Sequence, residues 1–160
     1  MKQGSKRPTS DAYLEPMHSM GYLTRVNFRL ISKALEQLTL PHGVSAGQWR
    51  LLRVLWEEDN ITQRELSRRA GFTEPTTVHA VRSLDNAGLA MRKRSTEDKR
   101  KIFITLTPRA RRLRPKLIPM VIEVNEIALA GIDPKEVAIT RKVLAQSYIN
   151  MCDHLGETDV

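Results

Sequence analysis

Residues 61–107, ITQRELSRRAGFTEPTTVHAVRSLDNAGLAMRKRSTEDKRKIFITLT, decide how the rest of the chain is read. Thr62 followed three residues later by Glu65 predicts a capping box, each side chain satisfying an orphan amide of a first helical turn. Leu66 and Ala70 supply an inward stripe, with Arg64, Ser67, Arg68 and Arg69 facing out, and Gly71 suits the left-handed position that ends a helix. Phe72 is placed to hold two short helices together. A second helix starts at once, with Thr73 as N-cap, Glu74 at the positive helix end and Pro75 in the first turn. Val78, Val81 and Leu84 recur at helical spacing and are expected in the core. That leaves Thr76, Thr77, His79, Ala80, Arg82 and Ser83 on or near the outer face. Short hydrogen-bonding side chains, a small apolar residue and a long cation suit base edges, thymine methyls and phosphates in a major groove. An ordinary solvated helix could carry the same face.

The hairpin that follows shifts that balance. Asn86-Ala87-Gly88 ends the helix, Leu89-Ala90-Met91 begins a strand, and Ser95-Thr96-Glu97-Asp98 is a polar turn. The return strand alternates Ile102, Ile104 and Leu106 with Phe103 and Thr105, the period of a half-buried strand. Arg92, Lys93 and Arg94 on one arm and Lys99, Arg100 and Lys101 on the other would repel one another without a polyanion between them. A merely solubilising hairpin would not need cations on both arms. Helix, turn, helix and charged wing together form a device for reading DNA.

Length and composition agree with this. One domain per chain is expected for 160 residues, and the 41% apolar fraction is enough for a core. The net charge of +8 and pI near 10.0 favour an anionic partner. Thirteen Lys/Arg against five Asp/Glu lie between Ile61 and Arg112, so this segment accounts for the whole excess. No apolar run is long enough to span a membrane and no signal-peptide pattern opens the chain, so a cytoplasmic, nucleoid-associated location is expected. A single cysteine, Cys152 on an apolar helix, leaves no internal disulfide and reads as an inert thiol. His18, His42, His79 and His154 are scattered without metal-ligand spacing, and neither a Gly-rich phosphate loop nor an adjacent nucleophile–base pair stands out. No metal, cofactor or enzymatic activity is expected.

The flanks read as helices. Residues 1–15 suggest a flexible arm in which Lys2, Lys6 and Arg7 could touch phosphates. A helix from Pro16 to Leu38 is apolar on more than one side, through Met20, Leu23, Leu30, Ile31, Ala34, Leu35 and Leu38, which implies a subunit interface. Pro41-His42-Gly43 breaks the chain, and Ser45 caps a helix from Ala46 to about Glu58 carrying Trp49, Leu52, Leu55 and Trp56 inward. After the wing, Thr107-Pro108 starts a long helix to about Ala130, with Arg109, Arg111, Arg112 and Arg114 on its first turns. Pro115 and Pro119 inside it predict a kink or break near Arg114–Ile118, a candidate hinge. Asp133-Pro134-Lys135-Glu136 starts a last helix, which Gly156 stops.

The central stretch resembles the winged helix-turn-helix of the MarR family of bacterial transcription regulators. The matching residues are Thr62-x-x-Glu65-Leu66, Pro75-Thr76-Thr77-Val78, Leu84-x-x-x-Gly88-Leu89, then Arg92, Asp98-Lys99-Arg100 and Leu106-Thr107. Where the family commonly has glycine shortly after the Leu-Thr pair, this chain has Pro108-Arg109-Ala110, a change expected to affect only how the next helix begins. The resemblance implies a mainly α fold with a small β-wing. A single domain, 16–155, would divide into dimerisation helices (16–44 and 108–155) and a winged helix-turn-helix lobe (45–107). It also implies that the last helix pairs with the first and with the partner's copies, and that Asp98 orients Arg100 toward a minor groove. The DNA-binding set is then Thr76, Thr77, His79, Ala80, Arg82, Arg92, Arg94, Asp98 and Arg100. Many members bind a small organic effector, often an aromatic or phenolic acid, between the two lobes. By resemblance that cleft would be lined by Tyr22, Val26, Asn27, His42, Trp49 and Arg53. The expectation is a homodimeric repressor at a near-palindromic site in double-stranded DNA; the alternative is a largely non-specific architectural DNA-binding protein.

Overall fold

Ser19 divides the first helical run. Its backbone is extended and its hydroxyl accepts the Tyr22 amide at 3.2 Å. A short 3₁₀ turn at Pro16–His18 therefore precedes α1, Met20–Thr39, and the helix expected from Pro16 begins four residues later. A computed structural model of the chain describes residues 14–157. The expected N-terminal arm, with Lys2, Lys6 and Arg7, lies outside the described residues apart from Leu14 and Glu15.

Thr39 closes α1 from inside the core, its hydroxyl donating to the Val44 carbonyl at 2.8 Å across a tight turn that Gly43 completes at φ +77°. α2, Ala46–Glu57, opens with a full capping box between Ser45 and Gln48. Glu36 on α1 also accepts the Ala46 amide at 3.0 Å, so the end of one helix caps the start of the next.

α3, Gln63–Ala70, and α4, Glu74–Asn86, follow the expected boundaries, with Gly71 at φ +62° between them. Only half of the expected capping box forms on α3. Thr62 Oγ1 accepts the Glu65 amide at 3.2 Å, but the Glu65 carboxylate turns away to Arg68, at 2.6 and 3.1 Å. The wing strands β2, Ala90–Arg94, and β3, Ile102–Leu106, are joined by a strand that local pattern did not predict, β1, Ile61–Thr62. The sheet is antiparallel in the order β1-β3-β2, with Ile61 opposite Ile104 and Ala90 opposite Leu106. Two residues are too few to show a period; β1 exists because β3 offers it an edge.

The core is centred on α2, where Leu51, Leu52 and Leu55 meet Leu66, Val81 and Leu84 of the helix pair and Leu89 and Ile104 beside and within the sheet. α5, Pro108–Ala128, crosses behind α1 and α2 and adds Ala110, Leu117 and Val124. It runs through Pro115 and Pro119 as one helix, so of the expected kink or break no break occurs. Both prolines are exposed, so water can solvate the carbonyls they leave unpaired while Leu117 keeps the packing on the inner side.

α6, Pro134–Leu155, begins at the Asp133 cap, whose carboxylate accepts the Lys135 amide at 2.8 Å, and ends at Gly156 in the left-handed region. It does not pack broadly on α1 or on any other element of the described chain. Ile139, Val143, Leu144, Tyr148 and Ile149 are exposed along it, whereas Cys152 is buried. No helix among the described residues is long and apolar enough to cross a membrane.

Candidate nucleic-acid interface

α4 presents two unlike faces. Thr77, Val81 and Leu84 are buried; Thr76, His79, Arg82 and Ser83 are exposed and Ala80 is half-buried between them. Thr76, His79 and Arg82 therefore form one outward row at helical spacing. Three expected orientations are corrected. Thr77 is fully buried, its hydroxyl 2.9 Å from Ser67 Oγ and 3.1 Å from the Thr73 carbonyl. Ser67, expected outside, is buried too and donates to the Phe72 carbonyl at 2.9 Å. Short hydroxyl side chains can face inward here because each finds a partner across the α3–α4 turn. Arg69, also expected outside, lies against the end of α2 and donates to Glu58 at 2.6 Å and Glu57 at 3.1 Å.

Four contacts fasten α4 from different sides, two of them through residues expected elsewhere. Gln48 on α2 donates from Nε2 to Ser83 Oγ at 2.9 Å while its Oε1 accepts the Ser45 amide. Arg92, expected on DNA, crosses from β2 to Asp85 of α4 with Nε 3.0 Å from Oδ2. Its geometry is that of a strut between reading helix and wing, because Asp85 lies within reach and neutralises it. Arg109 donates from Nη1 to the Ala87 carbonyl at 2.7 Å, placing a cation at the negative end of α4. Thr77 supplies the fourth. Trp56 adds a brace behind them, its indole N–H donating to the Ala110 carbonyl at 3.1 Å. The segment Pro108-Arg109-Ala110 thus does more than start α5, contrary to expectation.

The wing tip is a self-closed polar turn. Ser95 Oγ accepts the amides of Glu97 and Asp98, each at 3.2 Å, and Lys101 returns its amide to the Asp98 carbonyl at 2.9 Å. Asp98 Oδ1 accepts from the Arg100 amide at 3.0 Å and from its Nε at 3.4 Å. The Arg100 side chain is nonetheless 94% exposed, held at its base and reaching outward. Lys93, Arg94, Lys99 and Lys101 are exposed beside it. At the base, Asp59 accepts the Leu106 amide at 2.9 Å and pairs with Arg111, tying the wing to α5. Between wing, α3 and the start of α4 lies a cleft of about 470 Å³ whose lining includes Arg64, Glu74, Arg100 and Lys101.

The six effector candidates do not share one surface type. Trp49 is buried and meets Trp56 edge-on, centroids 5.6 Å apart, so its ring is occupied by core packing. Tyr22 is half-buried under Arg25, whose guanidinium lies 5.4 Å from its ring. Asn27 is exposed and donates to its own helix at Leu23 (2.9 Å); Val26 and His42 are half-buried, and Arg53 is exposed.

A helix pair whose second member carries an exposed row beside a cationic three-stranded wing is a winged helix-turn-helix. Residues 44–102, which include the helix pair and β2, match the MarR family. It is 33% identical over 86 residues to an uncharacterized HTH-type transcriptional regulator of Staphylococcus aureus, a match covering 54% of this chain and 59% of that protein. It resembles the crystal structure of a MarR transcriptional regulator from Methanosarcina mazei with a TM-score of 0.75 and 24% identity, over 82% of this chain and 97% of that one. A probable transcriptional regulator from Pseudomonas aeruginosa aligns with a TM-score of 0.71 and 25% identity, over 80% and 96%.

Proposed function

We propose that this protein is a sequence-specific, double-stranded DNA-binding transcriptional regulator acting in the cytoplasm as a homodimer. The observation that carries the reading is the exposed row Thr76, His79 and Arg82 on α4 set beside a wing of exposed cations. α4 enters the major groove, where the row meets base edges, while Arg100 reaches the adjacent minor groove. Arg94 and the neighbouring lysines neutralise phosphates. Arg92 contributes by holding the wing against α4, and Thr77 by holding α4 against α3.

Two-fold symmetry places half-sites about 10 base pairs apart in a near-palindrome, occupied as a repressor. The match to the MarR family supports release of the repressor by a small aromatic or phenolic acid, with the exposed guanidinium of Arg53 available to its carboxylate.

Selection of bound fragments from random duplex DNA, followed by footprinting, tests the reading. A discrete protected palindrome is expected, and Arg100→Ala should weaken binding and flatten A/T preference beside it. Protection spread evenly over random sequence would replace the reading with that of an architectural protein. A thermal-shift screen with aromatic acids, followed by DNA release with any hit, tests the ligand.

A further inference from the structure

Arg50 joins the first helix to the reading head. α1 packs on α2 and α5 rather than on α3 or α4. From α2, the Arg50 guanidinium lies between two rings, 5.2 Å from the centroid of Phe28 on α1 and 3.9 Å from that of Phe72 in the α3–α4 turn. Its Nη2 donates to the Ala70 carbonyl at 2.9 Å and the Gly71 carbonyl at 3.2 Å. These carbonyls close α3, where the helix dipole is negative and no further helical amide is available to pair them. One cation thus satisfies the end of α3, stacks on the turn that launches α4, and touches α1. Its partners are carbonyls and rings rather than carboxylates. Burial first, and the neighbouring Arg53 charge second, push its pKa below the usual arginine value, in keeping with a cation partly withdrawn from water.

We propose that Arg50 is a positioning residue for DNA reading: clamped between Phe28 and Phe72 and bound to the Ala70 and Gly71 carbonyls, it sets the angle of α4 relative to α1. The proposal rests on the DNA-binding reading above. In a dimer joined through α1, this clamp carries a shift of α1 into the spacing of the two reading helices. Lysine cannot substitute, because it lacks the planar fork that stacks on a ring while donating to two carbonyls.

The test compares wild type, Arg50→Lys and Phe28→Leu by fluorescence anisotropy on the selected palindrome and on a random duplex across a salt series. Amide hydrogen exchange of the free proteins is measured in parallel. Arg50→Lys should weaken palindrome binding about tenfold, the scale of a lost cation–π pair with its cap contact. Random-duplex affinity and the salt slope should stay unchanged, and exchange at Gly71 and Phe72 should quicken in the free protein. Phe28→Leu leaves the carbonyl contacts in place and should show a smaller loss of the same kind; it carries the test should Arg50→Lys fail to fold. Equal losses on both duplexes would make Arg50 a sequence-independent contact and overturn the proposal. Variants indistinguishable from a wild type that binds the palindrome would overturn the clamp alone. A wild type that binds neither duplex would remove the DNA-binding reading and the clamp with it.

Discussion

The Thr77 hydroxyl lies wholly inside the head, between Ser67 and the Thr73 carbonyl. Valine keeps its shape and removes that bond. Ser67 keeps its own bond to Phe72, so Thr77→Val should cost about 1 kcal/mol, read as a lower urea midpoint at unchanged slope. DNA affinity of the folded variant should be unaltered; lost affinity at unchanged stability would return Thr77 to the DNA-facing row. Glu65 makes a second, pH-dependent prediction. Its hydrogen bond to Arg68 is the main cause that holds its carboxyl below the usual range; burial opposes this, and the charges of Arg68 and Arg69 assist. A depressed folded-state pKa adds stability at pH above the ordinary carboxylate value and loses it as pH falls through the lowered one. The stability gap between wild type and Glu65→Gln should therefore be widest near neutral pH and close below about pH 4. A gap that widened in acid would show that the pairing does not act this way.

Among the helices, α5 departs most from local rules. Prolines at 115 and 119 occupy one exposed side of an unbroken helix, each lacking an amide that an ordinary residue would donate four residues back. Restoring one donor on this side meets no packing obstacle. Pro115→Ala should stabilise the fold by about 1–2 kcal/mol, after allowing for the greater freedom of the unfolded chain. A destabilised variant in chemical denaturation would mean that the proline bends α5 to fit α1 and α2. α4, by contrast, is fastened by Gln48, Arg92, Arg109 and Thr77, which come from α2, the wing, α5 and α4 itself. A helix held from so many directions has little freedom to turn within the head. Adjustment between the two reading helices of a dimer is then a movement of whole heads.

For the assembled protein, the distribution of apolar surface is decisive. Leu30 and Ile31 on α1, Ile122 and Ile127 on α5, and Ile139 and Val143 on α6 are exposed, and α6 has no broad partner within the described chain. Apolar exposure on each of three helices marks an interaction surface, and a second copy is the occupant that the proposed two-fold DNA site would require. Ile139→Glu should shift sedimentation from dimer to monomer and weaken palindrome binding more than random-duplex binding. A wild type that sediments as a monomer while binding the palindrome at full affinity would exclude the homodimer.

Most element boundaries were legible in the sequence because caps, glycine stops and periodicities act over three or four residues. Ser45, Thr62, Thr73, Thr107 and Asp133 each cap the helix they were expected to cap, and the charge excess marked the head before any geometry was known. The two-residue strand β1, the inward turn of Thr77 and Ser67, and the unbroken course of α5 were not legible. Each depends on what packs beside it. The partners that set the reading helix lie far apart in the chain: Arg50 and Ala70, 20 residues; Gln48 and Ser83, 35; Trp56 and Ala110, 54. Local chemistry therefore determined which segments become helix, turn and wing. Tertiary packing alone decided which cations remain outward and which become struts, because an arginine's role follows from the carboxylate, carbonyl or ring within its reach.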